Sequence, residues 1–468
     1  MALDKIQTTF SGRLVMVGFG SIGQGVLPLL LRHLGLKPNQ ITILTAAPLG
    51  RAQAQTMGAT FRIEPLTRDN YVRVLTPLLR AGDFLLNVSI EVSSAALVEL
   101  CQQRGALYLD TCIEPWPGGY TNPSLSPSRR SNYAMREAAL ALRAKYPEGP
   151  TAVLTHGANP GLVSHFVKMA LLELAGDVEK PRDRAAWGKL AHGLGVKTIH
   201  IAERDTQVSL RPKRPGEFVN TWSIEGFHGE GLQPAELGWG THERHFPPDG
   251  ARHNFGGGAA IYLNRPGAGT RVRSWTPLEG PFQGFLITHN EAISIADYLT
   301  LFENGAASYR PTVHYAYHPC DDAVLSLHES AGKNWHLQKE KRLLMDEIDS
   351  GMDELGVLLM GHPKGAYWYG SRLSIDEARR LVRHNNATTL QVTSSVLGGV
   401  VWALENPRRS IVEPDEIDHE RVLEVARPYL GDLVGVFSDW TPLIDRGELF
   451  PEDLDTDDPW QFKNFRVL

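Results

Sequence analysis

Arg13-Leu-Val-Met-Val17 is an unbroken apolar run, and it passes without a linker into Gly18-Phe-Gly20-Ser21-Ile22-Gly23-Gln-Gly25. Such a run predicts a buried strand of a parallel sheet. The leucine-rich stretch Val26 to Leu34 predicts a helix, with Pro28 near its start and Gly35 placed to end it. Strand, G-x-G-x-x-G, helix is the order that a dinucleotide-binding turn requires. In this reading Gly18 makes the tight turn, Gly20 lets the backbone approach a pyrophosphate, and Gly23 lets the helix pack closely on the strand. Ser21 and Ile22 open the helix, where free N–H groups and a partial positive charge favour phosphate.

The same α/β rhythm continues outward from this turn. Gln40 to Leu44 predicts the second strand, whose end in an NAD site usually carries an Asp or Glu for the ribose hydroxyls. Here the chain reads Thr45-Ala46-Ala47-Pro48, with Arg51 close behind. Thr45 is the ribose candidate, and Arg51 leaves NADP open beside NAD because an arginine can hold a 2′-phosphate. Strands at Asp83–Ser89 and Ala106–Thr111 flank a helix at Ser93–Arg104. Their ends put Asn87, Ser89, Asp110 and Thr111 at the crevice where ligands of parallel sheets bind.

At about 150 residues per domain, 468 residues predict two or three domains. Three cysteines cannot build a disulfide framework, which points to a reducing compartment, the cytoplasm. The net charge of -6 argues against a nucleic-acid partner. No run of about 18 apolar residues is present, so no membrane span is expected, and Met1 to Ser11 lacks the apolar core of a secretory signal. His289, His314 and His318 do not have zinc-ligand spacing, so no metal is expected.

Farther along, Tyr133 to Tyr146 predicts a helix and Thr151 to Thr155 a strand that runs into His156-Gly-Ala-Asn159-Pro-Gly161, then a helix through Glu173. Lys197 to Gln207 alternates, with Ile199, Ile201, Glu203 and Asp205 on one face. Phe218 to Ile224 predicts a second strand, placing Glu203 and Trp222 on one surface if the two pair. Glu225 to Gly240 reads as a long loop rich in glycine, acid and aromatic residues. Phe285 to Glu291 reads as a strand before a helix opened near Ser294, and Asn386 to Leu404 as a helix. The stretch Asp445–Asp458 holds seven acids and one arginine and reads as a solvated surface. Carboxylates beside an indole suit a cationic ligand, through charge-assisted hydrogen bonds and cation–π attraction.

Longer motifs add to this. Glu114-Pro-Trp116, Gly157-Ala-Asn-Pro-Gly161, Ile199-His-Ile-Ala-Glu-Arg-Asp-Thr-Gln207, Asn220-Thr-Trp-Ser223, Glu230 to Gly240, Thr288-His-Asn-Glu291, His314 to Cys320, Asp353-Glu-Leu-Gly-Val357, Ala366 to Ser371 and Asp458-Pro-Trp-Gln-Phe462 run nearly end to end. With them the sequence resembles the bacterial homospermidine synthases of the saccharopine-dehydrogenase-like group. The resemblance implies an α/β protein with an N-terminal Rossmann-type dinucleotide-binding domain (residues 1–155, completed by about 385–468) and a second α/β (α+β) substrate and dimerisation domain (156–384). It implies conversion of two putrescines to sym-homospermidine and ammonia through an imine, with tightly held NAD, no net redox change and a homodimer. Spermidine and cadaverine stay open as further amines.

It also implies roles. Glu203, Asn159 and His289 would hold the reacting amino end near the nicotinamide, Trp222 would stabilise the cationic imine, and Glu114, Glu230 and Asp353 would receive distal ammonium groups. Two other readings compete. A net dehydrogenase of the saccharopine or carboxyspermidine type would need basic residues for an α-carboxylate, and the site segments offer mainly Arg204. A non-catalytic polyamine-binding protein would hold NAD as a structural ligand.

Overall fold

A computed structural model describes residues 5–467, and every count below is of these residues. The strands Leu14–Val17, Ile41–Thr45, Thr60–Ile63, Phe84–Asn87, Leu107–Asp110 and Ala152–Val153 form one parallel sheet with Ile411–Val412. Leu14–Val17 lies inside it, between Phe84–Asn87 and Ile41–Thr45, and all four of its residues are buried. Leu14 and Met16 join the apolar cluster on one face, while Val15 and Val17 join that on the other. That is why the run has no polar alternation: both faces are covered. The helix Ser21–His33 starts directly at the glycine turn, and the helix Ser94–Arg104 is capped by Ser93, whose hydroxyl accepts from the Ala96 N–H.

A second, mixed sheet of eleven strands stands behind the first. At its centre Thr198–Asp205, all eight residues buried, pairs parallel with Thr312–His318 and antiparallel with Met352–Met360. The helix Ala387–Glu405 links the two layers. It packs on Ser21–His33 and Leu107–Asp110 on one side and on the Met352–Met360 and Ala366–Ser374 hairpin on the other. Its length and apolarity would suit a membrane span, but it is core: 89% of its apolar window is buried. Asn386 caps it, accepting from the Thr389 N–H.

Several elements differ from the sequence reading. The stretch assigned to complete the first domain is shared: Ile411–Val412 extends the parallel sheet, whereas Asp432–Ser438 and Arg466–Val467 pair into the second sheet. Tyr133–Tyr146 is two helices, Asn132–Leu140 and Leu142–Lys145. Glu225–Gly240 is not a loop but the helix Ile224–Leu232 followed by the strand Pro234–Gly238. Ser223 caps that helix and Phe227 is fully buried, so capping and packing outweigh its glycines. The strand near Trp222 ends at Asn220 and pairs with Glu340–Leu343, not with Thr198–Asp205. The strand before His289 ends at Phe285, and the next helix opens at Asn290. The acidic stretch is braced rather than merely solvated, through Lys197–Asp458, Arg446–Glu452, Lys463–Asp453 and Arg244–Asp455.

Candidate active site

The C-terminal ends of the parallel strands open into a cavity of about 510 Å³, closed on its far side by the second sheet. A larger groove of about 1240 Å³ lies elsewhere, among Phe246, Phe282 and Arg466, and contains none of the residues discussed below. At one end of the 510 Å³ cavity stand Gly18, Gly20, Ser21, Ile22, Thr45, Ser89 and Thr111. Gly18 has φ +91°, and a side chain there would meet the Val88 carbonyl oxygen at 2.6 Å, so only glycine makes this turn. Gly20 is the opposite case: a Cβ would meet no atom within 4 Å, which leaves the backbone open to close approach. The helix behind it has no side-chain cap and no acid in its first turn. Free N–H groups, an open backbone and an uncompensated helix dipole fit a dinucleotide's phosphates.

Gly23, Asn87 and Asp110, also expected at the cofactor, lie outside the wall. Gly23 faces inward, where a Cβ would meet the Gly18 carbonyl oxygen at 2.9 Å. Asn87 accepts from the Ser89 hydroxyl at 2.6 Å and so orients a residue that does line the cavity. Asp110 accepts from the Tyr108 hydroxyl at 2.7 Å and the Thr155 N–H at 2.5 Å, bracing two strand ends. Burial pushes its carboxyl up to about 6.

The other end of the cavity rests on one face of three adjacent strands. Register sets Tyr315 beside Ile201, Tyr317 beside Glu203, and Asp353 beside Asp205, all toward the same side. Glu203 Oε2 accepts from Asn159 Nδ2 at 2.8 Å and from the Tyr315 hydroxyl. Oε1 has no partner among the described residues. Burial raises the Glu203 carboxyl to about 8, against the pull of the Tyr315 hydrogen bond. Asn159 is held by the turn Gly157–Gly161, where Gly161 at φ +127° packs its Cα against the Gly157 backbone. Tyr315 stacks on Tyr317 with ring centres 5.0 Å apart, and its other neighbour is the His289 ring at 4.6 Å.

Trp222 lines the cavity from the bend after its strand, its Nε1–H donating to the Tyr317 hydroxyl at 3.0 Å. His289 bridges two carboxylates, Nε2 to Glu230 at 3.0 Å and Nδ1 to Glu291 at 3.3 Å. Burial alone would lower its pKa, but the Glu291 and Glu230 charges outweigh burial and raise it to about 10. His289 is therefore an imidazolium that pins Glu230. The Cys112 thiol donates to the other oxygen of Glu230 at 2.9 Å. Glu114, also in the wall, accepts from the Glu91 N–H at 3.0 Å, and burial raises it to about 8. Asp353 is not in the wall. It lies one strand beyond Glu203, fully buried, with neither oxygen hydrogen-bonded among the described residues. Burial and then the Glu203 charge push its carboxyl up.

Comparison with known proteins sets this cavity in a family. Residues 14–153 match the saccharopine dehydrogenase NADP binding domain and residues 157–438 the saccharopine dehydrogenase C-terminal domain. The chain is 56% identical to the homospermidine synthase of Blastochloris viridis, over 97% of each chain. It is 52% identical to that of Mesorhizobium japonicum, over 98% of this chain and 96% of the relative. The chain belongs to the homospermidine synthase family. The crystal structure of the Legionella pneumophila homospermidine synthase in complex with NAD superposes with a TM-score of 0.92 at 50% identity, over 99% of both chains.

Within this homospermidine synthase fold, Glu203, Asn159, Trp222, Glu230, His289 and Glu114 share one cavity with the glycine turn. Sequence reading passed over Tyr315, Tyr317, Cys112, Glu91 and Glu64. None of these carries a local signal: Tyr315 and Tyr317 reach the Glu203 face only through the register of a strand more than 100 residues away.

Proposed function

We propose that the chain converts two putrescines to sym-homospermidine and ammonia, with NAD supplying, when bound, a hydride acceptor for the first diamine and a hydride donor for the final imine. What carries this reading is the single cavity that joins a phosphate-binding glycine turn to a carboxylate- and indole-lined chamber. Acids and an aromatic face suit diamines, and the described wall offers an α-carboxylate no arginine or lysine.

An amine surrenders hydride from its α-carbon only when its nitrogen is neutral, and the ammonium pKa is near 10.4. An ordinary glutamate would accept that proton uphill by about 6 units, roughly 8 kcal/mol. Raised to about 8, Glu203 narrows the gap to roughly 3 kcal/mol. Oε1 is the accepting atom, since Asn159 and Tyr315 already occupy Oε2. Trp222 then faces the cationic imine, an attraction worth about 0.5–2 kcal/mol. Glu114 and Glu230 receive ammonium groups from the wall, and Asp353, outside it, acts only through its charge beside Glu203. His289, itself cationic, acts on the amine through the Glu230 and Glu291 carboxylates it pins. Residues 1–155 with the helix Ala387–Glu405 and strand Ile411–Val412 serve as the cofactor unit, the remainder as the diamine unit. The protein works as a cytoplasmic homodimer, a setting that suits its unpaired cysteines.

Incubation of the purified protein with putrescine and trace NAD tests this. Homospermidine and ammonia should appear in equal amounts with no accumulation of NADH. Stoichiometric NAD(P)H turnover would assign a net dehydrogenase instead, and putrescine binding without product a polyamine-binding protein.

A further inference from the structure

The second strand ends without the acid that an NAD site normally places there, but a neighbouring strand provides one. Thr60–Ile63 runs parallel to Ile41–Thr45 with Ile63 beside Thr45, and the Glu64 N–H donates to the Thr45 carbonyl at 2.9 Å. Glu64 therefore stands alongside the end of the second strand, one residue past its last pair. It lines the same cavity as Gly20, Ser21, Thr45 and Ala46. It is half-buried, and its carboxylate has neither an ion pair nor a hydrogen bond among the described residues.

Arg51, the residue that left NADP open, is placed differently. It is exposed, absent from the cavity wall, and sits over the outer Phe61 ring at 5.7 Å. Among the described residues, the adenosine end of the cavity thus holds a free carboxylate and no facing guanidinium. A ribose with both hydroxyls free can donate to such a carboxylate. A 2′-phosphate would place a near-dianion beside it in a partly desolvated cleft, where like charges a few ångströms apart repel strongly.

We propose that Glu64 takes the place of the missing second-strand acid, holding the adenosine ribose hydroxyls and excluding 2′-phosphorylated dinucleotides. The inference rests on the dinucleotide reading of the cavity. It also runs against the NADP in the name of the family model that residues 14–153 match.

Direct binding tests it without reference to turnover. Full-length protein freed of nucleotide with charcoal is titrated calorimetrically with NAD, NADP, 2′-deoxy-NAD and the 6-deamino analogue of NAD. The unaltered protein should prefer NAD over NADP, and over 2′-deoxy-NAD. Glu64→Gln should lower the NAD/NADP preference by about tenfold to 100-fold, mainly by gaining NADP affinity, and should no longer distinguish NAD from 2′-deoxy-NAD. Mass spectrometry of nucleotide released from denatured Glu64→Arg protein should show NADP beside or in place of NAD. An unchanged NAD/NADP ratio in Glu64→Gln overturns the inference while leaving the cofactor reading intact. So does a loss that persists with 2′-deoxy-NAD but vanishes with the 6-deamino analogue, which would put Glu64 on the adenine. Failure of the unaltered protein to bind any dinucleotide overturns both.

Discussion

Removing the Tyr315 hydroxyl tests the site at its most specific point. Burial is the main reason that the Glu203 carboxyl stands at about 8, and the Tyr315 hydrogen bond is the largest influence pulling it down. Tyr315→Phe keeps the ring stacked between Tyr317 and His289 and deletes only that donor. A hydrogen bond to a charged group is worth about 1.5–3 kcal/mol, or roughly 1–2 pH units. Glu203 should therefore titrate near pH 9–10 in the variant. The base works ionised, so activity is gained as pH rises through its pKa. In the unaltered protein kcat/KM for putrescine should climb about tenfold per pH unit below about 8 and then level. At pH 7 the variant should be down by roughly 10- to 100-fold, and by pH 10 by no more than about twofold. Putrescine's own deprotonation affects both proteins alike, so the ratio of the two profiles isolates Glu203. The assay is chromatographic measurement of homospermidine from pH 6 to 10.5 at constant ionic strength. A loss of the same size at every pH would refute the reasoning, leaving Tyr315 a packing residue; so would a rising limb that survives in Glu203→Gln.

Trp222→Phe keeps an aromatic face but not the Nε1–H bond to Tyr317, and should lower kcat only a few-fold. Trp222→Ala should lower it further, by up to about 30-fold, with little change in Tm by calorimetry, and near-full activity in the alanine variant would remove the cation–π role. Glu230→Gln leaves His289 with one carboxylate, so its pKa should fall from about 10 as followed by imidazole NMR. The sign for stability follows: a raised histidine pKa adds stability that is fully present below about 6.5 and lost as pH rises through about 10. Tm should thus decline over that window in the unaltered protein and decline less in Glu230→Gln; parallel curves would contradict the ion pair.

The strand-turn-helix at residues 14–33 was legible because its information is local: an apolar run and three glycines at fixed spacing. The alternation from 199 to 207 likewise placed Glu203 and Asp205 on one face without any knowledge of the neighbours. Tyr315 and Tyr317 were not legible as site residues, because their meaning depends on the register between strands more than 100 residues apart. Glu64 escaped for the same reason, standing at the end of a strand that the sequence reading did not assign. Residues 225–240 were misread from composition: glycine weakens a helix by about 1 kcal/mol per residue, but the Ser223 cap and the buried Phe227 oppose that bias. Trp222 reached the cavity by a route other than the expected pairing, since the bend after Asn220, not a shared strand face, brings it to Glu203.

Burial ties the chamber's electrostatics together. Glu203 and Glu114 titrate near 8 and Asp353 is pushed up as well, each with burial as the leading cause. Near neutral pH Glu203 and Glu114 are therefore largely protonated, which relieves the desolvation and mutual repulsion that several buried anions would otherwise impose. An entering ammonium reverses that balance, because a cation beside a buried carboxyl favours its ionised form. Diamine binding is then coupled to proton release, and apparent affinity rises with pH until the carboxyls ionise without the ligand. The same desolvation that keeps the acids neutral alone brings Glu203 within reach of an amine's proton. A more solvated, permanently ionised Glu203 would bind ammonium readily but leave it protonated, so burial favours amine oxidation over tight binding of the charged form.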